Sequence, residues 1–305
     1  MNPHGDPANT PPPLTDPTQV LPGRRPGIAH AWFKFGGLTH PGKGRPNNED
    51  QYLIARASKS LQVLQSSLAP QELAEVPDEE GYLMLVADGL GGHAAGERAS
   101  VLVVNELQRL VVTTFKWFAH LGDPDAVERA RTIQEGLDRI DRQLFAAGRA
   151  DWSVEGMGTT LTAASLVGAE LTVVHVGDSR AYLFRGGRVE QLTQDHTVAQ
   201  VLVNAGQLRP EEAKLNPFGH VLTNALGGRN RGVRGEIRRV PLADGDRVLL
   251  CTDGLTDLVG DDRIADVLGL HAEPEEACRA LVDAALAGGG RDDISVVLAA
   301  CTIER

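Results

Sequence analysis

Aspartates stand beside apolar stretches at five points of the sequence, where strands would begin or end. These residues are Asp50, Asp88, Asp178, Asp253 and Asp292. An isolated ionised carboxylate is expensive to remove from water, so clustered carboxylates either share protons or bind cations. Sites made only of oxygen ligands favour hard ions such as Mg²⁺ or Mn²⁺. The sequence therefore indicates a divalent-cation site if the five strand ends meet.

A structural role is the alternative for each of these aspartates. Asp88 and Asp253 are each followed by a glycine, and an isolated Asp-Gly pair is more often a turn or a helix N-cap than a ligand. Glycine also lets the backbone approach an ion, so the Gly89 carbonyl is a candidate ligand. The repetition along the chain favours the cation site, although spacing alone does not show that the strands meet.

Other residues that could act as nucleophiles have less support. Ser179 and Thr160 follow glycine-containing turns, but no base stands at a suitable spacing, which predicts a hydrogen-bonding structural role for both. The three cysteines, Cys251, Cys278 and Cys301, are isolated and lack the spacing of metal ligands. They are predicted to be small core residues of a protein in a reducing compartment.

Short apolar runs rich in β-branched residues alternate with turn signals and predict strands. The predicted strands cover 51–55, 82–88, 160–167, 171–177, 181–184, 247–251 and 294–300. Apolar residues that recur every three or four positions predict helices over 95–110, 127–144 and 275–286. Because each helix is apolar on one face only, packed sheets with helices outside them would bury both patterns.

Three segments differ in composition from this pattern. Residues 1–27 are rich in proline and poor in aliphatic residues, which predicts a disordered tail. The polar, proline-punctuated stretch 58–80 is predicted to be an insertion between two strands. The stretch 195–224 has a poorly amphipathic helical pattern and is predicted to be an appended surface element.

The charge balance disfavours some functions. The chain has 30 basic and 41 acidic residues, a net charge of −11, and its basic residues are scattered, so its field would repel a nucleic-acid backbone. Its apolar runs are far shorter than the roughly 20 residues of a membrane helix, and no signal peptide is recognisable. These features predict a cytoplasmic protein that binds neither nucleic acid nor membrane.

Seven short motifs occur in order from about Phe35 to Val297. They occupy 45–50, 86–93, 158–160, 176–180, 193–197, 251–255 and 290–293. Together they resemble the motifs of the metal-dependent, 2C-type serine/threonine protein phosphatases, in particular free-standing bacterial members. The resemblance implies an α+β fold, a four-layer α-β-β-α sandwich of two antiparallel sheets flanked by helices. It makes 28–305 the catalytic domain and 195–224 a flap beside a dimetal cleft.

The resemblance implies a site for two Mn²⁺ or Mg²⁺ ions. Asp88 would bridge both ions, and Asp253 and Asp292 would hold the first ion together with it. Asp178, with Asp253, would bind a third and weaker cation. Each ligand position that the family uses is occupied by a residue able to bind metal, so the resemblance implies an active enzyme.

Further residues match positions beside the ions. Asp50 and the Gly89 carbonyl would help to hold the second ion, and Glu49 would act through metal-bound water. Arg45 would grip the substrate phosphate with its planar guanidinium. His93 is either the general acid that protonates the leaving alkoxide or a residue that fixes the glycine-rich loop, and both interpretations stay open.

One position departs from the family pattern near the site. Asp293 stands where asparagine is usual, which adds a negative charge. This charge could tighten a bound cation or perturb Asp292, and the sequence does not decide between the two effects.

The implied function is hydrolysis of phosphoserine and phosphothreonine in proteins by a metal-activated water. A Ser/Thr kinase system is the expected partner, and a monomer is the expected state. A catalytically weak phosphoprotein-binding module is the alternative, which the intact ligand positions disfavour. A metal hydrolase of phosphodiesters or nucleotides fits the ions equally well, and only the resemblance and the acidic net charge disfavour it.

Overall fold

The regular elements come from a computed structural model, which describes residues 30–59, 79–91, 94–113, 126–213, 216–228 and 232–304. The strands are β1 (His30–His40), β2 (Gln51–Lys59), β3 (Glu79–Ala87), β4 (Gly89–Leu90), β5 (Gly158–Thr159), β6 (Leu161–Val167), β7 (Glu170–Val176), β8 (Arg180–Arg185), β9 (Arg188–Gln191), β10 (Leu226–Gly227), β11 (Glu236–Pro241), β12 (Arg247–Cys251) and β13 (Ile294–Glu304). The helices are α1 (Ala94–Thr113), α2 (Ala126–Ala150), α3 (Val198–Asn204), α4 (Pro210–Ala213), α5 (Asp253–Thr256), α6 (Asp261–Leu270) and α7 (Pro274–Ala287).

Two five-stranded antiparallel sheets lie at the centre of the fold. The first has the strand order β1-β13-β12-β8-β9, and the second has the order β11-β7-β6-β3-β2. A small third sheet has the order β10-β5-β4. Strands β8 and β9 form a hairpin, with Arg185 paired to Arg188. Both glycines, Gly186 and Gly187, have the positive φ that this turn requires.

Side chains alternate across each strand and therefore divide between three apolar layers. Leu83 and Leu85 of β3 pack with α1 and α2, whereas Met84 and Val86 contact the first sheet. In β12, Leu249 packs with α6 and α7, and its two neighbours along the strand face the second sheet. The order of layers is helix, sheet, sheet, helix. The predicted α+β sandwich is confirmed.

Several elements differ in their bounds from the prediction. Strand β12 has the predicted bounds, whereas α2 and β13 run further than predicted, and β1, β11 and α6 are absent from the prediction. The stretch 195–224 contains two short helices, α3 and α4, rather than one continuous helical pattern. None of the helices within the described ranges has both the length and the apolar character that a bilayer crossing requires.

The predicted tail 1–27 and most of the predicted insertion lie outside the described residues. Strands β2 and β3 extend beyond their predicted ends, and Ser58 pairs with Glu80. The two ends of the predicted insertion therefore belong to a strand pair, and residues 60–78 between them lie outside the described residues.

The three cysteines are free and buried, as predicted. Burial raises the pKa of Cys251 and that of Cys278 to about 12. Because the thiolate is the reactive form, neither residue is a nucleophile at neutral pH.

Candidate active site

Loops and strand ends of both large sheets line one open cleft of about 920 Å³. Its lining includes most of the sequence-predicted site residues, namely Arg45, Glu49, Asp88, Gly89, Asp178, Asp253 and Asp292. They come from separate parts of the chain: Asp88 follows β3, Asp178 follows β7, Asp253 follows β12 and Asp292 precedes β13. The antiparallel topology thus brings these ends together at one edge of the sandwich. His93 lies outside the described residues, so its two interpretations stay open.

The backbone of Asp88 is held by Thr159 of the small sheet and by the adjacent Thr160. Its N–H donates to Oγ1 of Thr160 over 2.9 Å, and its carbonyl accepts from the Thr160 N–H at 2.9 Å and from the Thr159 hydroxyl at 2.8 Å. The Thr160 hydroxyl also lies 2.7 Å from that of Ser179. Thr160 and Ser179 therefore have the hydrogen-bonding role predicted for them, and Asp88 is aimed at the cleft by a rigid backbone.

Asp50 is buried directly behind the cleft. Its Oδ2 accepts a hydrogen bond of 2.7 Å from the Thr252 hydroxyl, at the N-cap of α5. Its Oδ1 has no hydrogen-bond partner in the described structure, and the same is true of Oδ1 in Asp253 and in Asp293. A buried carboxylate oxygen without a hydrogen-bond partner destabilises the fold. Coordination of a hard divalent cation by such oxygens would remove this penalty. The donor set therefore fits Mn²⁺ or Mg²⁺.

Burial, and then the charges of neighbouring carboxylates, raise the pKa values of Asp50, Asp88 and Asp178. Burial raises the pKa of Asp50 to about 8. Burial and then the charges of Asp50, Asp253, Asp178 and Asp292 raise the pKa of Asp88 well above its ordinary value. The pKa of Asp178 is raised in the same way, first by burial and then by Asp253. Without cations the cluster holds protons, so binding of a divalent ion should release them.

The stability of the metal-free protein should therefore fall as the pH rises from about 4 to about 8. The Asp50 carboxyl has a pKa of about 8 in the folded chain and about 3.9 in the unfolded chain. The folded state binds this proton more tightly, so raising the pH through the window removes a contribution that favours folding. Urea denaturation in EDTA at pH 5 and at pH 8 measures the difference.

Asp50→Asn is the matched variant for this prediction. It removes the titrating group but keeps an oxygen acceptor for Thr252. The free energy of unfolding of this variant should therefore differ less between pH 5 and pH 8 than that of the wild type. Saturating Mn²⁺ should reduce this difference as well, because the bound ion replaces the proton. A metal-free wild type that is as stable at pH 8 as at pH 5 would contradict the expectation.

Two glycines allow helix α1 to approach the acidic loops. A Cβ on Gly89 would lie 2.3 Å from the Gly96 carbonyl oxygen, and one on Gly96 would lie 2.2 Å from Oε2 of Glu49. The hydroxyl of Ser100, one turn further along α1, donates to the Glu49 carbonyl over 2.7 Å. Neither Gly96 nor Ser100 is among the site residues predicted from the sequence. A glycine in the first turn of an otherwise amphipathic helix was the available signal.

Asp293 supports Arg45 and Glu49. Arg45 Nη2 lies 2.7 Å from Oδ2 of Asp292, and Arg45 Nη1 lies 3.5 Å from Oδ2 of Asp293. The same Oδ2 of Asp293 accepts the Glu49 N–H at 2.8 Å. The Asp293 side chain is 2% exposed. Its carboxylate thus aims the Arg45 guanidinium and fixes the Glu49 backbone, a role that neither sequence-based alternative included.

His220 also lines the cleft and is not among the site residues predicted from the sequence. It precedes β10, and its Nδ1 and Nε2 atoms lie 3.8 Å from Oδ2 of Asp253 and 3.7 Å from Oδ2 of Asp257. The Asp253 carboxylate raises the pKa of His220 to about 9. No motif surrounds His220 in the sequence, so only the tertiary structure links it to the aspartates.

The stretch 195–224, which the sequence predicts to be a flap, has described residues 195–213 and 216–224 and is attached at its base by His196. The His196 N–H donates to the Gly177 carbonyl at 2.7 Å, and its carbonyl accepts from the Thr223 N–H at 2.8 Å. Its ring Nδ1 accepts from the Gly177 N–H at 3.1 Å. Residues at both ends of the flap are thus joined to the strand end that carries Asp178.

The fold and the cleft together define a class: an α-β-β-α sandwich with an acidic site suited to divalent cations. The family model described as protein phosphatase 2C matches residues 69–288. The serine/threonine protein phosphatase PstP of Mycobacterium tuberculosis is 40% identical over 218 residues, which cover 71% of this chain. The protein phosphatase PhpP of Streptococcus pneumoniae is 31% identical over 271 residues, covering 86% of this chain and 94% of that protein.

A solved structure gives the same result. The catalytic domain of the serine/threonine protein phosphatase PstP, in complex with two manganese ions, is 32% identical and aligns with a TM-score of 0.67. The alignment covers 89% of this chain and 99% of that domain. This chain belongs to the protein phosphatase 2C family. It spans about 40% of the length of the mycobacterial relative.

Proposed function

We propose that this chain hydrolyses phosphoserine and phosphothreonine in proteins at a pair of Mn²⁺ or Mg²⁺ ions. The observation that carries the proposal is the convergence of carboxylates from distant strand ends on one cleft. Buried carboxylate oxygens of Asp50 and Asp253 have no hydrogen-bond partner in the described structure, which is the condition that a divalent cation relieves. The family relationship supports the same activity.

The first ion would be held by Asp88, Asp253 and Asp292, and the second by Asp88, Asp50 and the Gly89 carbonyl. When bound, two divalent cations acidify water and offset the charge that develops on a phosphoryl group. The chain itself contributes rigidity, since the Asp88 backbone is held by three hydrogen bonds with Thr159 and Thr160. Preorganised ligands of this kind lose little free energy in reorganisation during the reaction.

Arg45 would position the phosphate. Its side chain is 37% exposed at the cleft, where it pairs with Asp292 and is supported from beneath by Asp293. A guanidinium offers two parallel N–H groups that match two phosphate oxygens. A substrate phosphate would therefore take over the face of Arg45 that Asp292 occupies in the free chain.

The proposed substrates are phosphorylated proteins. A Ser/Thr kinase would produce them, because such a kinase forms the phosphate ester that this reaction hydrolyses. Three free, buried cysteines suit the reducing cytoplasm. We further propose that the chain acts as a monomer and that residues 28–305 form its catalytic domain.

The substrate class is tested by comparing esters at saturating Mn²⁺. Peptides carrying phosphothreonine or phosphoserine should release phosphate, whereas the diester bis(p-nitrophenyl) phosphate should be turned over much more slowly. Tight phosphopeptide binding without release would instead favour the binding module. Faster hydrolysis of the diester would favour a phosphodiesterase.

Arg45→Lys should raise KM for a phosphothreonine peptide by roughly tenfold or more, because a charge-assisted hydrogen bond contributes about 1.5–3 kcal/mol. Lysine keeps the charge but loses the planar fork, so kcat should change less than KM. Steady-state kinetics on the peptide series separate the two constants. Arg291→Lys, a matched change at another arginine of the cleft wall, should leave KM unchanged. An equal KM in Arg45→Lys and wild type would exclude a phosphate-holding role.

A further inference from the structure

Asp50 lies at the start of a strand of the second sheet, but its carboxylate is held by residues of the first sheet. It directly precedes β2, and its Oδ2 accepts the Thr252 hydroxyl at 2.7 Å. Thr252 directly follows β12, and its Oγ1 accepts the N–H of Ser295, on the neighbouring strand β13, at 3.0 Å. The Thr252 N–H donates in return to the Ser295 carbonyl over 3.1 Å. The Asp50 carboxylate is therefore anchored from one sheet of the sandwich to the other.

Further hydrogen bonds lead from Ser295 back to Asp50. The Ser295 hydroxyl donates to Oγ1 of Thr39, its partner on β1, over 2.8 Å. The same Thr39 oxygen accepts from Nδ2 of Asn48 at 2.7 Å, and Oδ1 of Asn48 accepts the Asp50 N–H at 3.0 Å. These contacts close a ring that holds both the backbone and the carboxylate of Asp50. We call it the Asp50 ring, and its members are Thr39, Asn48, Asp50, Thr252 and Ser295.

The Thr252 hydroxyl serves Asp50 rather than the helix that it precedes. Thr252 is the N-cap residue of α5, yet its side chain makes no capping hydrogen bond. An N-cap threonine usually accepts a hydrogen bond from an N–H group in the first turn of its helix. Here the oxygen accepts from Ser295 instead, and its proton goes to Asp50. All three residues are buried, so water does not replace these bonds.

The ring also determines which oxygen of Asp50 is left for a cation. Oδ2 is occupied by the Thr252 hydroxyl, whereas Oδ1 is buried and has no hydrogen-bond partner among the described residues. A ligand that is already fixed loses less conformational freedom when an ion binds, and the hydrogen-bond partners of metal-binding carboxylates contribute to metal affinity for this reason.

We propose that Thr252 is a positioning residue for the second ion and acts through Asp50, with Ser295, Thr39 and Asn48 as its support. The inference rests on the proposed function, because Asp50 is a proposed ligand of the same dimetal cleft. The Asp50 ring joins the two sheets, so binding of the second ion should also oppose their separation. Part of the stabilisation that this ion gives to the fold should therefore depend on Thr252.

A calorimetric Mn²⁺ titration of the metal-free protein tests the role of Thr252. Thr252→Val has nearly the same shape but lacks the hydroxyl, so it should weaken one of the two tight ions by about 10- to 100-fold and leave the other unchanged. Thr252→Ser keeps the hydroxyl and should bind both ions as the wild type does. Thr252→Val combined with Asp50→Asn should bind Mn²⁺ no more weakly than Asp50→Asn alone, because both changes act on one ligand.

Thr193→Val is the matched control. The Thr193 hydroxyl is also buried, and it accepts the Ala181 N–H at 3.2 Å. This variant should lower the free energy of unfolding without changing the affinity for Mn²⁺. In urea denaturation, a fixed Mn²⁺ concentration should stabilise Thr252→Val less than it stabilises the wild type or Thr193→Val. In kinetics, Thr252→Val should need more Mn²⁺ for half-maximal phosphate release, while KM for the peptide stays unchanged.

The possible results separate this inference from the proposed function. Metal-dependent phosphate release with unchanged Mn²⁺ affinities in Thr252→Val would overturn the inference alone. Equal weakening of both ions, or a Thr252→Ser variant as weak as Thr252→Val, would show a general distortion and would also overturn it. If Thr252→Val does not fold, Ser295→Ala should weaken the same ion by a smaller factor, and an unchanged affinity there would overturn the inference. A wild type that binds no Mn²⁺ and releases no phosphate would overturn both.

Discussion

Replacing Asp88 with asparagine should lower kcat for a phosphothreonine peptide on the order of 10³-fold, because it removes charge from the centre of the metal site. Four other carboxylates act on Asp88 in the free chain, so it lies close to the other proposed ligands. Its backbone is fixed by Thr159 and Thr160, so asparagine should keep the position and lose only the bridging carboxylate.

Kinetics and metal binding together measure the effect of Asp88→Asn. Calorimetry with Mn²⁺ should show the loss of at least one tight ion, and added Mn²⁺ should not restore kcat. Asp283→Asn, the same chemical change at an exposed position on α7, should leave both quantities unchanged. Wild-type turnover in Asp88→Asn with two ions bound would remove Asp88 from the site.

Replacing Asp195 with alanine should lower the free energy of unfolding by about 3–5 kcal/mol, the effect of leaving a buried charge unpaired. Arg180 makes two hydrogen bonds to Asp195, from Nε at 2.8 Å and from Nη2 at 2.6 Å, and donates to the Tyr182 hydroxyl. Both side chains are only 15% exposed. The pair joins β8 to the first residue of the flap, so its loss should also loosen the flap.

Urea denaturation of Asp195→Ala measures this loss. The double variant Arg180→Met with Asp195→Leu should recover much of it, because apolar side chains of similar volume replace a buried ion pair with little penalty. Solvent-exposed ion pairs contribute about 1 kcal/mol or less. If Asp195→Ala lowers the free energy of unfolding by less than this, the prediction is wrong and water reaches Arg180 in solution.

The sequence predicts the sandwich well because its central strands bury both faces. In β3 and β12, continuous apolar runs give a clear strand pattern. The buried apolar residues of both strands lie within the predicted ranges. Strand β1 has Gly36 and Gly37 in its middle, which weakens that pattern. The structure gives the reason: a Cβ on Gly36 would lie 2.5 Å from the backbone of Glu275, so glycine lets the start of α7 pack on the strand.

The candidate site is predictable only in part. The aspartates stand out because each is next to an apolar run, but their convergence depends on which strands are neighbours, which no local pattern contains. Asp293 and His220 show the limit. The partners of Asp293 are Arg45 and Glu49, more than 240 residues away in the chain, and His220 lies beside Asp253 only through the tertiary structure.

Turnover by this chain should depend on divalent cations bound by these carboxylates. The decisive measurement is phosphate release from a phosphothreonine peptide while metal-free protein is titrated with Mn²⁺. We expect no release in EDTA, release that appears as the tight ions bind, and none at any Mn²⁺ concentration in Asp88→Asn. Steady phosphate release by the metal-free wild type would contradict this expectation.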